Sequence, residues 1–211
     1  MRATTGDAAA VLLTALLGAH GAAAQDAAPA RDAIETQRVL VGTTQRMIVH
    51  RTTIAAPVAD VWQAISTADG WRTWAVPVAF LDELRPGAVI ETSYQPNARR
   101  GDPANIHNTV VAYLPQKMLA FAATNAPPNF PDRELLGDIA SVIELEPAGP
   151  SATKVTATMM GYGTDAKYDR LFAFFTNGNA LTLSQLRERF ASGPIDWAAR
   201  AAARAEAAQG R

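Results

Sequence analysis

Met47-Ile48-Val49-His50-Arg51-Thr52-Thr53-Ile54-Ala55-Ala56-Pro57, continued by Val58-Ala59-Asp60-Val61-Trp62-Gln63-Ala64-Ile65, contains the change of period that sets the architecture. Its first part alternates, Ile48/His50/Thr52/Ile54 against Met47/Val49/Arg51/Thr53, which predicts a strand. Pro57 stops that strand and suits the first residue of a helix, where its missing N–H is no loss. Val58, Val61, Trp62 and Ile65 then recur at i, i+3, i+4 and i+7, one apolar stripe aimed at a core. Asp69-Gly70 ends the helix, and Trp71 and Trp74, three apart, predict a short second one.

Downstream the chain reads as a β-meander. Val78 to Leu81 leads into a turn at Arg85-Pro86-Gly87, and Ala88 to Gln95 alternates Ile90/Thr92/Tyr94 with Val89/Glu91/Ser93, one face buried and one wet. Asn105 to Tyr113 and Lys117 to Thr124 pair around Leu114-Pro115-Gln116. Asp138 to Leu145 and Thr153 to Met160 close the sheet, with Ile143, Leu145, Val155, Ala157 and Met159 facing inward and Glu144 and Lys154 outward. Two loops stand out. Residues 96–104 carry Arg99 and Arg100, and residues 125–137 place Ala126, Phe130, Leu135 and Leu136 among prolines.

Thr164 or Asp165 is expected to cap a long helix. Tyr168, Leu171, Phe172, Phe175, Asn179, Thr182, Leu183, Leu186 and Phe190 follow at helical spacing until Ser192-Gly193-Pro194 breaks the run. Gly178 inside it predicts a close backbone approach or a kink. Residues 193–211, rich in Ala and Arg, read as a solvated tail or terminal helix.

Toward the N-terminus, Ala8 to Ala24 carries no formal charge and has an apolar heart at Val11 to Leu17. Arg2 precedes it, and Ala22-Ala23-Ala24 before Gln25 fits the small-residue pattern of signal-peptidase cleavage. Gly18, His20 and Gly21 dilute it, so it is marginal for a hydrocarbon core of about 30 Å. Residues 1–24 are therefore expected to be a cleaved signal peptide, giving a periplasmic or secreted protein without stable membrane insertion. Residues 25–46 read as a flexible leader, with Val39-Leu40-Val41 either a short extra strand or simple packing, and residues 47–192 as the folded domain.

Composition narrows function by exclusion. The chain has 211 residues, 48% apolar and 18% charged, and 44 alanines, many of them near its two ends. That length buries a core without staples. A formal net charge of −1 lacks the basic face that nucleic acid requires. The absence of cysteine excludes disulfides, thiolate metal sites and a cysteine nucleophile.

Ile54-Ala55-Ala56-Pro57, Val61-Trp62 and the later Trp74 resemble the first-strand exit of the SRPBCC superfamily. Leu84-Arg85-Pro86-Gly87 is similar to its L-x-P-G turn, and Pro115 with Leu119 to its P-x-x-x-L hairpin. Phe174-Phe175-Thr176-Asn177-Gly178, running on to Leu186, resembles the terminal helix of the branch homologous to chaperone-ATPase activators, with Asn179 where that branch usually has Trp. The likeness covers residues 47–190. It implies an α+β helix-grip (START-like) fold: a curved antiparallel sheet of six or seven strands around a long C-terminal helix, with two short helices after the first strand. It also implies a cavity between sheet and helix that holds lipids, sterols, polyketides or other apolar molecules, a minority of members being cyclases. The apolar helix stripe and the single apolar sheet face lead independently to the same place, because a curved sheet on one helix does not easily fill its own interior.

Gly161-Tyr162-Gly163-Thr164-Asp165-Ala166 matches a dinucleotide fingerprint formally, but an antiparallel setting and a helix still running where the ribose-binding acid belongs argue against it. His50 and His107 lie on separate strands without metal-ligand spacing. No catalytic residue, metal or cofactor is assigned. Trp71, Trp74, Tyr94, His107, Phe121, Met159, Tyr168, Phe172 and Phe175 are the candidate cavity-lining, ligand-binding residues. The loop 125–137, carrying Phe130, is expected to cover the cavity at one end, and Arg99 and Arg100 would draw an acidic head group toward it. The expected function is exported binding of a small hydrophobic or amphipathic molecule. The alternatives are a polyketide cyclase or aromatase using Tyr94 or His107, and a chaperone-activator-like interaction module. The oligomeric state stays open.

Overall fold

The alternation around His50 produces a strand with Ile48, His50, Thr52 and Ile54 all buried, the set that the period of two assigned to one face. The computed structural model describes residues 34–209; the expected signal peptide and the leader as far as residue 33 lie outside the described residues. In chain order the elements are β1 (Glu35–Val41), β2 (Gln45–Ile54), α1 (Val58–Ser66), α2 (Ala68–Arg72), β3 (Val78–Phe80), β4 (Val89–Ser93), β5 (Ile106–Leu114), β6 (Met118–Asn125), β7 (Ala140–Pro147), β8 (Thr153–Gly163), α3 (Asp169–Ser192) and α4 (Trp197–Gln209). A 3-10 turn, Arg133–Asp138, lies between β6 and β7, and a second, Ala166–Tyr168, precedes α3.

The strands form one antiparallel sheet of order β1-β2-β8-β7-β6-β5-β4-β3. The meander β3 to β8 closes on β2 through a β2–β8 ladder that pairs His50 with Ala157 and Ile54 with Thr153. Irregularities in register between Arg46 and Ile48, His107 and Asn108, and Val110 and Ala112 bend the sheet as bulges do. The result is the α+β helix-grip arrangement, with α3 packed across β2.

The sheet has eight strands, more than the six or seven expected, because Glu35–Val41 is a full edge strand running antiparallel to β2. The leader reading of residues 25–46 therefore fails from Glu35 onward. Gly42, in left-handed backbone at φ 59°, makes the tight turn into β2.

Pro57 flanks α1 rather than opening it; its carbonyl accepts from the N–H groups of Asp60 and Val61. At the other end of α1, two carbonyls without helical partners are satisfied by tryptophans. Trp71 Nε1 donates to Ile65 O at 2.6 Å and Trp74 Nε1 to Ala64 O at 2.9 Å. The helices approach so closely that a Cβ on Gly70 would lie 2.2 Å from Gln63 O. Asp69-Gly70 thus lies inside α2 rather than ending α1, at a contact that leaves no room for a side chain at position 70.

At the start of the long helix the expected cap is absent. Asp165 precedes the 3-10 turn without a side-chain cap bond, and α3 begins at Asp169 after Tyr168. Gly161 shows what the glycine pair does instead. Its φ is +102° and a Cβ there would lie 1.9 Å from Asp138 O, so it lets the end of the Arg133–Asp138 turn lie on β8. Gly178 makes no close approach, with nothing within 4 Å of a built Cβ, and α3 runs unbroken through it.

The C-terminal segment is docked. Ile195 is buried, its N–H donates to Thr73 O, and Trp197 Nε1 donates to Arg72 O at 2.6 Å. Arg200 forms a salt bridge with Glu188 of α3. Among the described residues no helix is long and apolar enough to cross a membrane.

Candidate functional site

Two hydrophobic clusters share the interior. One gathers α1, α2 and the strand ends around Ile54, Trp62, Trp74, Leu119 and Val155. The other gathers Ile48, Leu136, Met159, Tyr162 and Phe172 around the start of α3. At the seam between them they do not meet, and a cavity of about 190 Å³ remains. An engineered apolar cavity of about 150 Å³ in another protein takes up benzene, so this space suits a single ring or a short chain.

The walls follow from the elements. The sheet contributes Thr92, Phe121, Ser141, Ile143 and Ala157 at alternating positions, and α3 contributes Phe175, Asn179, Thr182, Leu183 and Leu186 from its inner stripe. Trp71 and Trp74 form the floor. Their N–H groups are already engaged with α1 carbonyls, so they offer ring surface and no donor. Leu136 and Ile139, in and just after the Arg133–Asp138 turn, close another side. Among the described residues no Asp, Glu, Lys or Arg lines it.

Six of the nine candidate residues meet there: Trp71, Trp74, Tyr94, Phe121, Met159 and Phe175. Tyr94, 58% exposed, marks the rim. The other three do not line the cavity. The irregular pairing at His107/Asn108 accompanies the reason in β5: Ile106 and Asn108 face the cavity, and His107 faces the opposite side across from Glu91, its Nε2 3.9 Å from Glu91 Oε1. That opposite face is not wet as expected. Loop 96–104 covers it, and Glu91 Oε1 accepts from Gly101 N and Asn105 Nδ2, each at 2.6 Å.

Tyr168 instead donates to Asp138 Oδ2 at 2.6 Å, a bond that raises the phenol pKa. Phe172 sits edge-on to Tyr162 at 5.1 Å, under the Arg46 guanidinium at 4.7 Å. Tyr162 is fully buried and its phenol pKa is driven well above the ordinary value by burial. Arg100 is committed elsewhere too. Its two-pronged pairing with Asp82, both contacts 2.8 Å, holds the Asp82 carboxyl below the usual range.

The 125–137 loop covers one end. Phe130 packs edge-on to Phe174 at 5.3 Å and lies 6.1 Å from Phe175, whose ring lines the cavity. Asn125 Nδ2 donates to Pro103 O and Asn105 O, tying this loop to its neighbour at the same end of the sheet.

The candidate list lacks His50, the most buried polar side chain of the cavity wall at 1% exposure. Its alternation with Ile48, Thr52 and Ile54 was the available signal. Its Nδ1 lies 2.9 Å from Thr36 Oγ1 on β1, and burial lowers the imidazole pKa, favouring the neutral ring. Among the described residues no three His, Asp or Glu side chains converge to hold a metal.

The family described as polyketide cyclase / dehydrase and lipid transport matches residues 45–203. Among solved structures the chain is similar to protein MLL2253 from Mesorhizobium loti, with 18% identity, TM-score 0.55, and 71% of this chain and 100% of that one covered. It is similar to CalU16 from Micromonospora echinospora, with 18% identity, TM-score 0.53, and 77% and 86% covered. It is also similar to the Aha1 dimer from Colwellia psychrerythraea, with 21% identity, TM-score 0.52, and 70% and 97% covered. At these identities the likeness shows the fold alone. No match is found among the curated proteins. The family match spans most of the chain, and the sheet wrapped on α3 carries the same fold, so this chain belongs to the polyketide cyclase / dehydrase and lipid transport family of the SRPBCC superfamily.

Proposed function

We propose that this chain is an exported binding protein for a small, mainly apolar molecule held between the sheet and α3. The observation that carries the reading is a cavity of about 190 Å³ whose lining, among the described residues, includes no Asp, Glu, Lys or Arg side chain. Apolar ligand surface buried there gains roughly 25 cal/mol per Å². Drug-sized sites span about 300–1,000 Å³, so a multi-ring polyketide or a long acyl chain would enter only with the Phe130 loop displaced. The cyclase reading loses His107, which faces Glu91 on the side of the sheet away from the cavity, and rests on Tyr94 at the rim. Export is supported by the apolar run ending in Ala22-Ala23-Ala24, and an intact mass beginning at Gln25 tests it.

The direct test is titration with toluene, followed by the emission of Trp71 and Trp74 on the cavity floor, together with native mass spectrometry of freshly purified protein. A saturable emission change or a co-purifying small mass is expected. Flat emission up to the solubility limit of toluene, with no added mass, overturns the reading.

A further inference from the structure

Five side-chain atoms among the described residues are buried with no hydrogen-bond partner, and His50 Nε2 is the one that belongs to the cavity wall. An orphaned buried nitrogen carries a desolvation cost, so its persistence beside a cavity asks what it pairs with. The other ring nitrogen is accounted for by the Thr36 hydroxyl at 2.9 Å. A hydroxyl both donates and accepts. The Thr36 contact therefore permits either tautomer, and Nε2 can present an N–H or a lone pair.

We propose that His50 Nε2 is the polar anchor of the cavity and that its ligand is an uncharged hydroxyl-bearing molecule of single-ring size, a simple phenol or a comparable alcohol. This rests on the cavity reading above. A ligand hydroxyl suits both tautomers, donating to the lone pair or accepting from the N–H. A carbonyl or ether suits only the N–H form. A carboxylate would enter a wall to which the described residues contribute no Lys or Arg, beside a ring whose burial disfavours the imidazolium, and would stay uncompensated. The two tryptophan N–H groups are bonded to α1, and the Thr182 hydroxyl donates to Gly178 O, so these groups do not compete for the anchor role.

The test compares p-cresol, toluene and p-toluate on the full chain and on His50→Leu. In the unaltered protein p-cresol is expected to bind at least as tightly as toluene, and p-toluate to bind at least about a hundredfold more weakly than p-cresol. In His50→Leu p-cresol loses about tenfold or more while toluene changes less than about threefold. Equal losses for both ligands, or none, overturn the anchor and leave the cavity reading standing. Preferential binding of p-toluate overturns the assignment of an uncharged ligand. Failure of all three to bind the unaltered protein overturns both readings. Should His50→Leu not fold, the ¹⁵N resonances of the His50 ring decide in the unaltered protein: p-cresol is expected to shift Nε2 and toluene not, and equal shifts overturn the anchor.

Discussion

Arg170 on α3 clasps Asp132 in the loop that covers the cavity, its Nε donating to Asp132 Oδ2 at 2.7 Å while Asp132 itself sits in left-handed backbone at φ 52°. The Arg170 side chain is exposed and the Asp132 side chain mostly covered, so the loop is pinned from outside, one helical turn from Phe174. The guanidinium holds the Asp132 carboxyl below its usual range. A surface pair of this kind is screened by solvent and contributes little to global stability. Arg170→Ala should therefore leave global stability almost unchanged while raising the open population of residues 125–137 by up to about fivefold. Limited proteolysis within that segment reads the change, and toluene should slow the cutting in both proteins. Identical cutting with and without toluene would remove the loop from the route to the cavity.

Filling the cavity separates binding from folding. Ala157 pairs with His50 across the β2–β8 ladder and contributes only a methyl to the wall. Ala157→Leu places three more carbons in open space rather than in packed core, so the usual overpacking penalty of about 1–3 kcal/mol does not arise. Toluene binding should fall more than about tenfold, with stability kept within about 1 kcal/mol. Urea unfolding together with tryptophan emission measures both. Retained binding in a folded Ala157→Leu protein would place the ligand elsewhere.

Much of this architecture was legible because half-buried strands write a period of two. Residues from Val78 to Met160 gave the meander, and Ile143, Leu145, Val155, Ala157 and Met159 do face inward. Of β1 only Val39-Leu40-Val41 was legible as a possible strand; its first half escaped because Glu35-Thr36-Gln37-Arg38 is polar on both faces and carries no apolar alternation. The inner stripe of α3 was visible, but not where along the helix the cavity lies. Phe172 and Phe175 are one turn apart, yet the first packs on Tyr162 and only the second reaches the open space. His107 was misplaced for a different reason, since register irregularities such as the one at His107/Asn108 leave no mark in a single sequence.

Gly178 offers a stability gain. It lies inside α3 with helical neighbours on both sides and nothing within 4 Å of a built Cβ. Alanine there meets no steric objection and removes the entropic disadvantage of glycine, about 1 kcal/mol. Gly178→Ala should raise the melting temperature by about 2–4 °C for a chain of this size, and calorimetry reads it. A lowered melting temperature would mean that the position needs backbone freedom the helix geometry does not reveal.

His50 ties stability to pH with a definite sign. Burial of the ring depresses its folded pKa, whereas in the unfolded chain the ordinary value of about 6.5 applies. Above that value neither state holds the proton, and the contribution of His50 is constant and fully present. Below it the unfolded chain takes up a proton that the folded chain resists. Stability then falls by up to about 1.4 kcal/mol per pH unit until the folded pKa is reached. The informative quantity is the difference between the unaltered protein and His50→Leu. Urea midpoints at pH 7.5, 6 and 5 should fall more steeply for the unaltered protein than for the variant as the pH drops, because leucine has no proton to refuse. Parallel curves would mean that the imidazole is charged equally easily in both states, and that the cavity wall around it is wetter than its 1% exposure implies.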